Sequence, residues 1–178
     1  MLLKNIGQLA TYDSSGQAVV IRSNVDLTLA DGMITAMGRN LNSEEETIDC
    51  TGRLVTPGFV DPHTHPVFLN GREEEYLQRL AGISYEEIAH QGGGICSSIE
   101  GVRNASEKEL TERVKKRMDR FLRLGTTTVE AKSGYGLNLK AELKSLRVLK
   151  TVNQSHPIDI IPTFLGAHAV PPEFEGNP

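Results

Sequence analysis

The chain has 178 residues, 38% of them hydrophobic and 24% charged, with a formal net charge of −4. That length suits one compact domain, or a small domain joined to part of a larger one. The acidic balance and the lack of any Lys/Arg-rich run argue against a nucleic-acid partner or an anionic membrane surface, and no apolar stretch approaches the ~20 residues of a membrane span. Met1-Leu2-Leu3-Lys4-Asn5 lacks the charged start and apolar run of a signal peptide. The expectation is a cytoplasmic protein in which Cys50 and Cys96 are reduced, structural thiols.

Residues 1–55 read as β structure. Ala18-Val19-Val20-Ile21, Asp26-Leu27-Thr28-Leu29 and Met33-Ile34-Thr35-Ala36-Met37 are short apolar-rich runs. Asp31-Gly32 predicts a hairpin between the last two, and Ser14-Ser15-Gly16 another turn. Short strands with such turns predict a small sandwich or barrel piece.

The pattern changes after Pro57-Gly58. Phe59-Val60-Asp61-Pro62-His63-Thr64-His65 begins as a strand, and a Glu-rich helix follows around residues 72–81. Ser84 with Glu87 forms a capping box for a short helix that runs into Gly92-Gly93-Gly94. Ser106 with Glu109 forms a second box, for a longer helix whose Leu110, Val114, Met118, Phe121 and Leu122 share a face. Gly125 is placed to end it. Thr126-Thr127-Thr128-Val129-Glu130-Ala131 is rich in β-branched residues and predicts a strand. Asn138 can cap the next helix, in which Leu139, Leu143, Leu146 and Leu149 form a candidate buried stripe. His156-Pro157 stops that helix, and residues 158–165 predict a third strand leading to His168.

Strand, helix, strand, helix, strand is the pattern of βα units with a parallel sheet. Such units build a doubly wound sheet or an eight-stranded barrel. Polar residues gather at the carboxyl ends of all three strands: His63 and His65, then 132–135, then His168. In a barrel that end carries the chemistry. No dinucleotide fingerprint or P-loop is present, because Gly92-Gly93-Gly94 follows a helix instead of joining a strand to one. A complete barrel takes about 250 residues. Residues 56–178 supply three strands of eight, so the expectation is a chain that represents part of a longer protein; the alternative is a complete small α/β protein.

His63 and His65 are the sharpest chemical feature. Side chains two apart on a strand share a face, so both imidazoles can approach one cation. Asp61 shares that face and can orient a ligand from behind. The plain alternative is a pair of exposed loop histidines.

Thr56-Pro57-Gly58-Phe59-Val60-Asp61-Pro62-His63-Thr64-His65 resembles the first barrel strand of the metal-dependent amidohydrolase superfamily. Members combine a small β-sandwich, formed largely by the N-terminal segment, with a (β/α)8 barrel. The resemblance implies a β-sandwich segment over 1–55 and the first three βα units over 56–178. Three further segments resemble the imidazolonepropionase family. They are residues 79–89 with Gly92-Gly93-Gly94-Ile95, then 127–137, then 163–172. Leu69-Asn70-Gly71 departs from the family, which more often has Gly followed by Ser or Asp.

The family's reaction opens the ring of 4-imidazolone-5-propionate with a metal-activated water, giving N-formimidoyl-glutamate in histidine degradation. The resemblance implies one zinc or iron ion per active site, with His63 and His65 as ligands. It implies substrate contacts from Arg72, Tyr85, Tyr135 and His168, with His168 also catalytic. Such roles suit the residue types. A guanidinium can hold the propionate by two parallel hydrogen bonds. The tyrosines offer hydroxyls and flat faces, and His168 can donate to developing negative charge. Each has a plain alternative: Arg72 sits beside three glutamates and can be a surface ion pair, Tyr85 can simply pack, and a single histidine is often only a satisfied polar residue. Lys132 is not assigned as a ligand, because the resemblance points to a one-metal type.

The family's other ligands, a His and an Asp, and its proton-handling acid come from later strands. The 178-residue chain is therefore expected to be inactive alone, and the whole protein to act as a homodimer on a small-molecule substrate. Two other readings stay open. One is a different amidohydrolase, such as a cytosine or guanine deaminase, in which Arg72 would have no substrate carboxylate. The other is a non-catalytic structural relative that has lost its metal.

Overall fold

The computed structural model describes residues 1–176, with Ala89 and Cys96 described by their backbone only. The expectation for the Cys96 thiol therefore falls outside the described side chains. Cys50 is free and buried. No described helix is long and apolar enough to cross a membrane. The chain divides into two compact units, one over Met1–Pro57 and one beginning at Gly58.

The first unit is one five-stranded sheet. Its strands are β1 (Leu2–Asp13), β2 (Ala18–Ala30), β3 (Met33–Gly38), β4 (Thr47–Asp49) and β5 (Leu54–Val55). The order is β3-β2-β1-β4, with β5 also on β1. A sandwich needs a second sheet, which the described residues of this unit do not hold. Asp31 and Gly32 both have positive φ, 50° and 74°, and Ala30 pairs with Met33. That is the expected two-residue hairpin, whose backbone only glycine and short polar residues adopt readily. The Ser14-Ser15-Gly16 turn is also present, held by Asp13, whose Oδ1 accepts from Ser15 N at 3.0 Å.

Two features of this unit differ from expectation. The runs at 18–21 and 26–29 are parts of one strand, β2, and β1 is a long strand that the pattern did not predict. The reason lies in a bulge between Leu3 and Ile6, where Asn5 takes φ 59°. The bulge breaks the two-residue alternation, yet Leu2, Ile6 and Leu9 all become buried. Asp26, only 5% exposed, accepts from the bulged Asn5 N at 2.8 Å and from Leu41 N at 3.0 Å.

The second unit holds three parallel strands, β6 (Phe59–Thr64), β7 (Thr126–Lys132) and β8 (Asp159–Thr163), in that spatial order. Its helices are α1 (Glu73–Leu80), α2 (Tyr85–His90), α3 (Cys96–Asn104), α4 (Glu107–Arg123) and α5 (Leu139–Asn153). The Ser84 box closes reciprocally, Ser84 N donating to Glu87 at 3.0 Å and Glu87 N to Ser84 at 3.1 Å. Ser106 accepts from Glu109 N at 3.1 Å and Asn138 from Ala141 N at 2.8 Å. Gly125 follows α4 at φ 90°. Helix α3 was not expected; its sequence has no capping side chain to announce it.

The core lies between the sheet and the two long helices. Leu110, Val114 and Met118 of α4, Val129 and Ala131 of β7, Val148, Leu149 and Val152 of α5 and Ile160 of β8 form one buried cluster. The expected leucine stripe of α5 is corrected here. Only Leu149 is fully buried, Leu146 packs at the margin, and Leu139 and Leu143 are 68% and 42% exposed. The buried face is instead Ala141, Glu142, Ser145, Val148, Leu149 and Val152. Small residues let α5 approach, so the largest side chains do not mark its inner face. Two substitutions separate the stripes. Leu149→Ala should cost about 2–5 kcal/mol of stability by urea denaturation, whereas Leu139→Ala should stay within about 0.5 kcal/mol.

Candidate active site

Parallel strands share an orientation, so their carboxyl ends emerge at one edge. Thr64 pairs with Ala131 and Lys132 with Thr163, so the three strands end level. Hydrogen bonds continue the alignment past the strands. Thr64 Oγ1 donates to Glu130 O at 2.7 Å, Ser133 N to Thr163 O at 2.9 Å, and Leu165 N to Ser133 Oγ at 3.0 Å.

Four of the six residues singled out in the sequence meet there as rings. His63 and His65 lie with centroids 5.6 Å apart. His65 stacks nearly parallel on Tyr135 at 4.7 Å, and on His168 at 4.8 Å with the rings inclined by 25°. Tyr135 and His168 are 6.0 Å apart. Arg72 and Tyr85 are not part of this ring contact, although both act electrostatically on the Tyr135 hydroxyl. Arg72 starts α1 and pairs with Glu75 at 3.6 Å, so the plain ion-pair reading is partly realised. Asp61 accepts from His63 N at 3.2 Å and so holds the backbone of the pair. His168 lies in the loop beyond β8, not on its last residue: β8 ends at Thr163, two residues earlier than expected.

Burial, with the nearby charges of His168 and His63 behind it, holds the His65 imidazole below its ordinary pKa. A neutral imidazole keeps a lone pair for a cation. Its Nδ1 is buried and has no hydrogen-bond partner. Burial pushes the Tyr135 phenol up; the Arg72 charge opposes this and Tyr85 and Glu75 add to it. Tyr135 is thus a hydroxyl donor across the neutral range. Glu130 is held below its ordinary value: burial raises it, but donation from Lys132 and Thr163 and the charges of Lys132 and His63 outweigh that. Glu130 and Lys132 form an ion pair.

Two imidazoles beside each other, one with an orphaned buried nitrogen, suit a borderline cation such as zinc. They supply two donors where catalytic zinc ordinarily takes three from protein. No group of three or more metal-binding side chains occurs among the described residues.

Several supporting residues were not foreseen. Glu75 accepts from Gly94 N at 3.0 Å and Ser97 Oγ at 3.2 Å, tying the glycine loop to α1. Within three consecutive glutamates nothing distinguishes it. Arg117 donates to Pro66 O at 2.9 Å and Phe68 O at 2.7 Å, fixing the segment directly after His65. Burial and the Arg113 charge lower its pKa to about 10. Glu142 and Arg103 both bind the backbone of the Tyr135 loop. The one available signal was the Ser133-Gly134-Tyr135-Gly136 segment, whose free N–H groups need an acceptor.

No family model matches the chain. An imidazolonepropionase of Geobacillus sp. (strain WCH70) is 42% identical over 196 aligned positions, covering 100% of this chain and 46% of the relative. An imidazolonepropionase of Brevibacillus brevis is 43% identical, covering 99% and 46%. The chain thus spans about half the length of the curated relatives it matches. Among solved structures, 5-methylcytosine deaminase from Klebsiella pneumoniae, liganded with phosphonocytosine, aligns at TM-score 0.60 and 20% identity, over 92% of this chain and 36% of that one. Zinc-complexed atrazine chlorohydrolase from Arthrobacter aurescens TC1 aligns at TM-score 0.52 and 17% identity, over 92% and 35%. These two neighbours share the fold of the chain.

The lowered pKa of His65 has a sign that can be tested. Above about pH 6.5 the ring is neutral both folded and unfolded. As pH falls below that value the unfolded chain takes the proton first, so stability is lost towards acid. The urea midpoint should fall between pH 6.5 and pH 5.5, and His65→Asn should flatten that dependence. Equal slopes in both chains would show that His65 does not contribute.

Proposed function

From a chain homologous over its whole length to imidazolonepropionases, we propose that the protein it represents hydrolyses the ring C–N bond of 4-imidazolone-5-propionate, giving N-formimidoyl-glutamate. The observation that carries the reading is the ring cluster His63, His65, Tyr135 and His168 with Arg72 in electrostatic reach of it. In this reading residues 1–55 belong to a β-sandwich and residues 56–178 are the first three units of a (β/α)8 barrel.

His63 and His65 would hold a zinc or iron ion, with the set completed by residues outside this chain. A bound metal supplies an acidified water at neutral pH. Arg72 takes the propionate with its guanidinium, exchanging the long Glu75 contact for a bidentate one. Tyr135 lies flat in the cluster, where its face can set the plane of the substrate ring and its hydroxyl can donate. Tyr85, half-exposed at the start of α2, closes the outer side. His168 donates to the ring oxygen as negative charge builds on it, which lowers the barrier because that bond strengthens towards the transition state.

Arg72 distinguishes this reading from a deaminase, whose ring substrate carries no acid arm. In the whole protein Arg72→Met should raise KM for the propionate substrate by about 10- to 100-fold, the worth of a charge-assisted hydrogen bond, and change kcat less. A substrate without the arm should not register the substitution. Equal losses on both substrates would remove Arg72 from the binding role. The 178-residue chain alone should show no turnover, because two imidazoles underligate the cation. Ring opening by the isolated chain, measured with added zinc or iron, would contradict this.

A further inference from the structure

We infer that Arg103 and Glu142 are a two-sided clamp that positions Tyr135, and through it the ring cluster; the inference rests on the hydrolase reading of this site. The loop over 134–137 is short and its backbone is unusual. Gly134 has φ 108° and Leu137 has φ 51°. These conformations turn successive N–H groups inward and carbonyls outward, as in an anion-binding nest.

Glu142 fills the inner side. Its Oε2 accepts from Gly134 N at 2.5 Å, and its Oε1 accepts from Gly136 N and Leu137 N at 2.8 Å each. The residue is 1% exposed. A buried carboxylate survives when donors surround it, and three backbone N–H groups do so here. Its place in the first turn of α5 adds the favourable end of the helix dipole.

Arg103, from the last turn of α3, holds the outer side. Its Nε donates to Gly136 O at 2.7 Å, and its Nη2 donates to Leu137 O at 3.3 Å and Glu173 Oε1 at 2.6 Å. Glu173 lies in a short 3-10 turn, Pro172–Phe174, beyond His168. One guanidinium therefore ties the loop that carries Tyr135 to the segment that follows His168. The two loops also meet directly: a Cβ at Gly134 would stand 3.0 Å from His168 Cβ and 3.0 Å from Leu165 O.

The arrangement exceeds what folding α5 requires. Asn138 already caps that helix, and N–H groups at an open sheet end can be satisfied by water. Gathering three of them onto one buried carboxylate fixes the tetrapeptide with Tyr135 in its middle. A planar stack at 4.7 Å between Tyr135 and His65 then needs no movement when a substrate arrives. Pre-set geometry of this kind is worth up to about 100-fold in rate when an ångström matters.

The test compares wild type, R103K, R103M and E142Q. Heteronuclear NMR of the histidine ring Cε1–H groups in the 178-residue chain reads the stack directly, because a neighbouring phenol ring shifts those protons. R103M and E142Q should move the His65 and His168 signals, and R103K, which keeps the charge but not the fork, should fall between them and wild type. If E142Q fails to fold, the Arg103 pair decides alone. In the whole protein R103M should lower kcat/KM by about 10- to 100-fold, with partial rescue in R103K. Unmoved ring signals in folded R103M overturn the clamp whatever the kinetics. Moved signals in the variants, together with a whole wild-type protein that opens no imidazolone ring, overturn the functional reading and leave the clamp standing.

Discussion

Parallel pairing of β6, β7 and β8 is the constraint from which the site follows. Antiparallel neighbours would send alternate strand ends to opposite edges and scatter the same residues. With all three strands running one way, the segments after Thr64, Lys132 and Thr163 leave the sheet together. Residues remote in sequence become neighbours because each is the next thing after its strand. A slip of one residue in register would turn the side chains of a whole strand to the other face. The hydrogen bonds from Thr64 to Glu130 O, and from Ser133 and Leu165 across the β7–β8 boundary, pin the register where it matters most.

The loops beyond those strands are then shaped by buried or half-buried charges that bind backbone. Glu142 takes N–H groups after β7, Arg117 takes carbonyls after β6, and Arg103 takes carbonyls on the outer side. In the first unit Asp26 does the same for the β1 bulge. Irregular backbone cannot satisfy itself as helices and sheets do, so each departure from regular structure requires a partner. A charged side chain is an effective one, since bonds to ionised groups are stronger than neutral ones. Arg117 also lies 3.4 Å over the Phe68 ring, which covers the apolar faces of both groups.

Features written in local chemistry were legible in the sequence. The Ser84 and Ser106 caps, the Asn138 cap, the Asp31-Gly32 hairpin and the β-branched run of β7 depend on residues a few positions apart, and each is found where the sequence puts it. Six candidate site residues were named through motif resemblance, and the structure brings four of them, His63, His65, Tyr135 and His168, close together as rings. What stayed hidden depends on tertiary context. Strand β1 carries its bulge because Asp26 is there to receive it. Helix α5 turns Ala141 and Ser145 inward and leaves Leu139 exposed, which no hydrophobicity pattern prefers. Glu142 and Arg103 are ordinary helix-surface residue types until a loop distant from Arg103, and adjacent to Glu142, supplies their partners.

Recognition and activation are unevenly distributed along the proposed site. Arg72, Tyr85, Tyr135 and His168, the groups that would grip and orient the substrate, all lie on this chain. In that reading, His63 and His65 are the ligands this chain would offer a cation. The His65 ring is held below its ordinary pKa, stacked on two neighbours and left with a free buried nitrogen, so in that reading its imidazole would be pre-arranged instead of being assembled by the metal. Catalysis needs interactions that are stronger in the transition state than in the ground state. The substrate grip alone is a ground-state device. Its value depends on holding the ring still relative to the nucleophile, and that is why the rigidity of the Tyr135 loop matters more to such a site than the strength of any single contact in it.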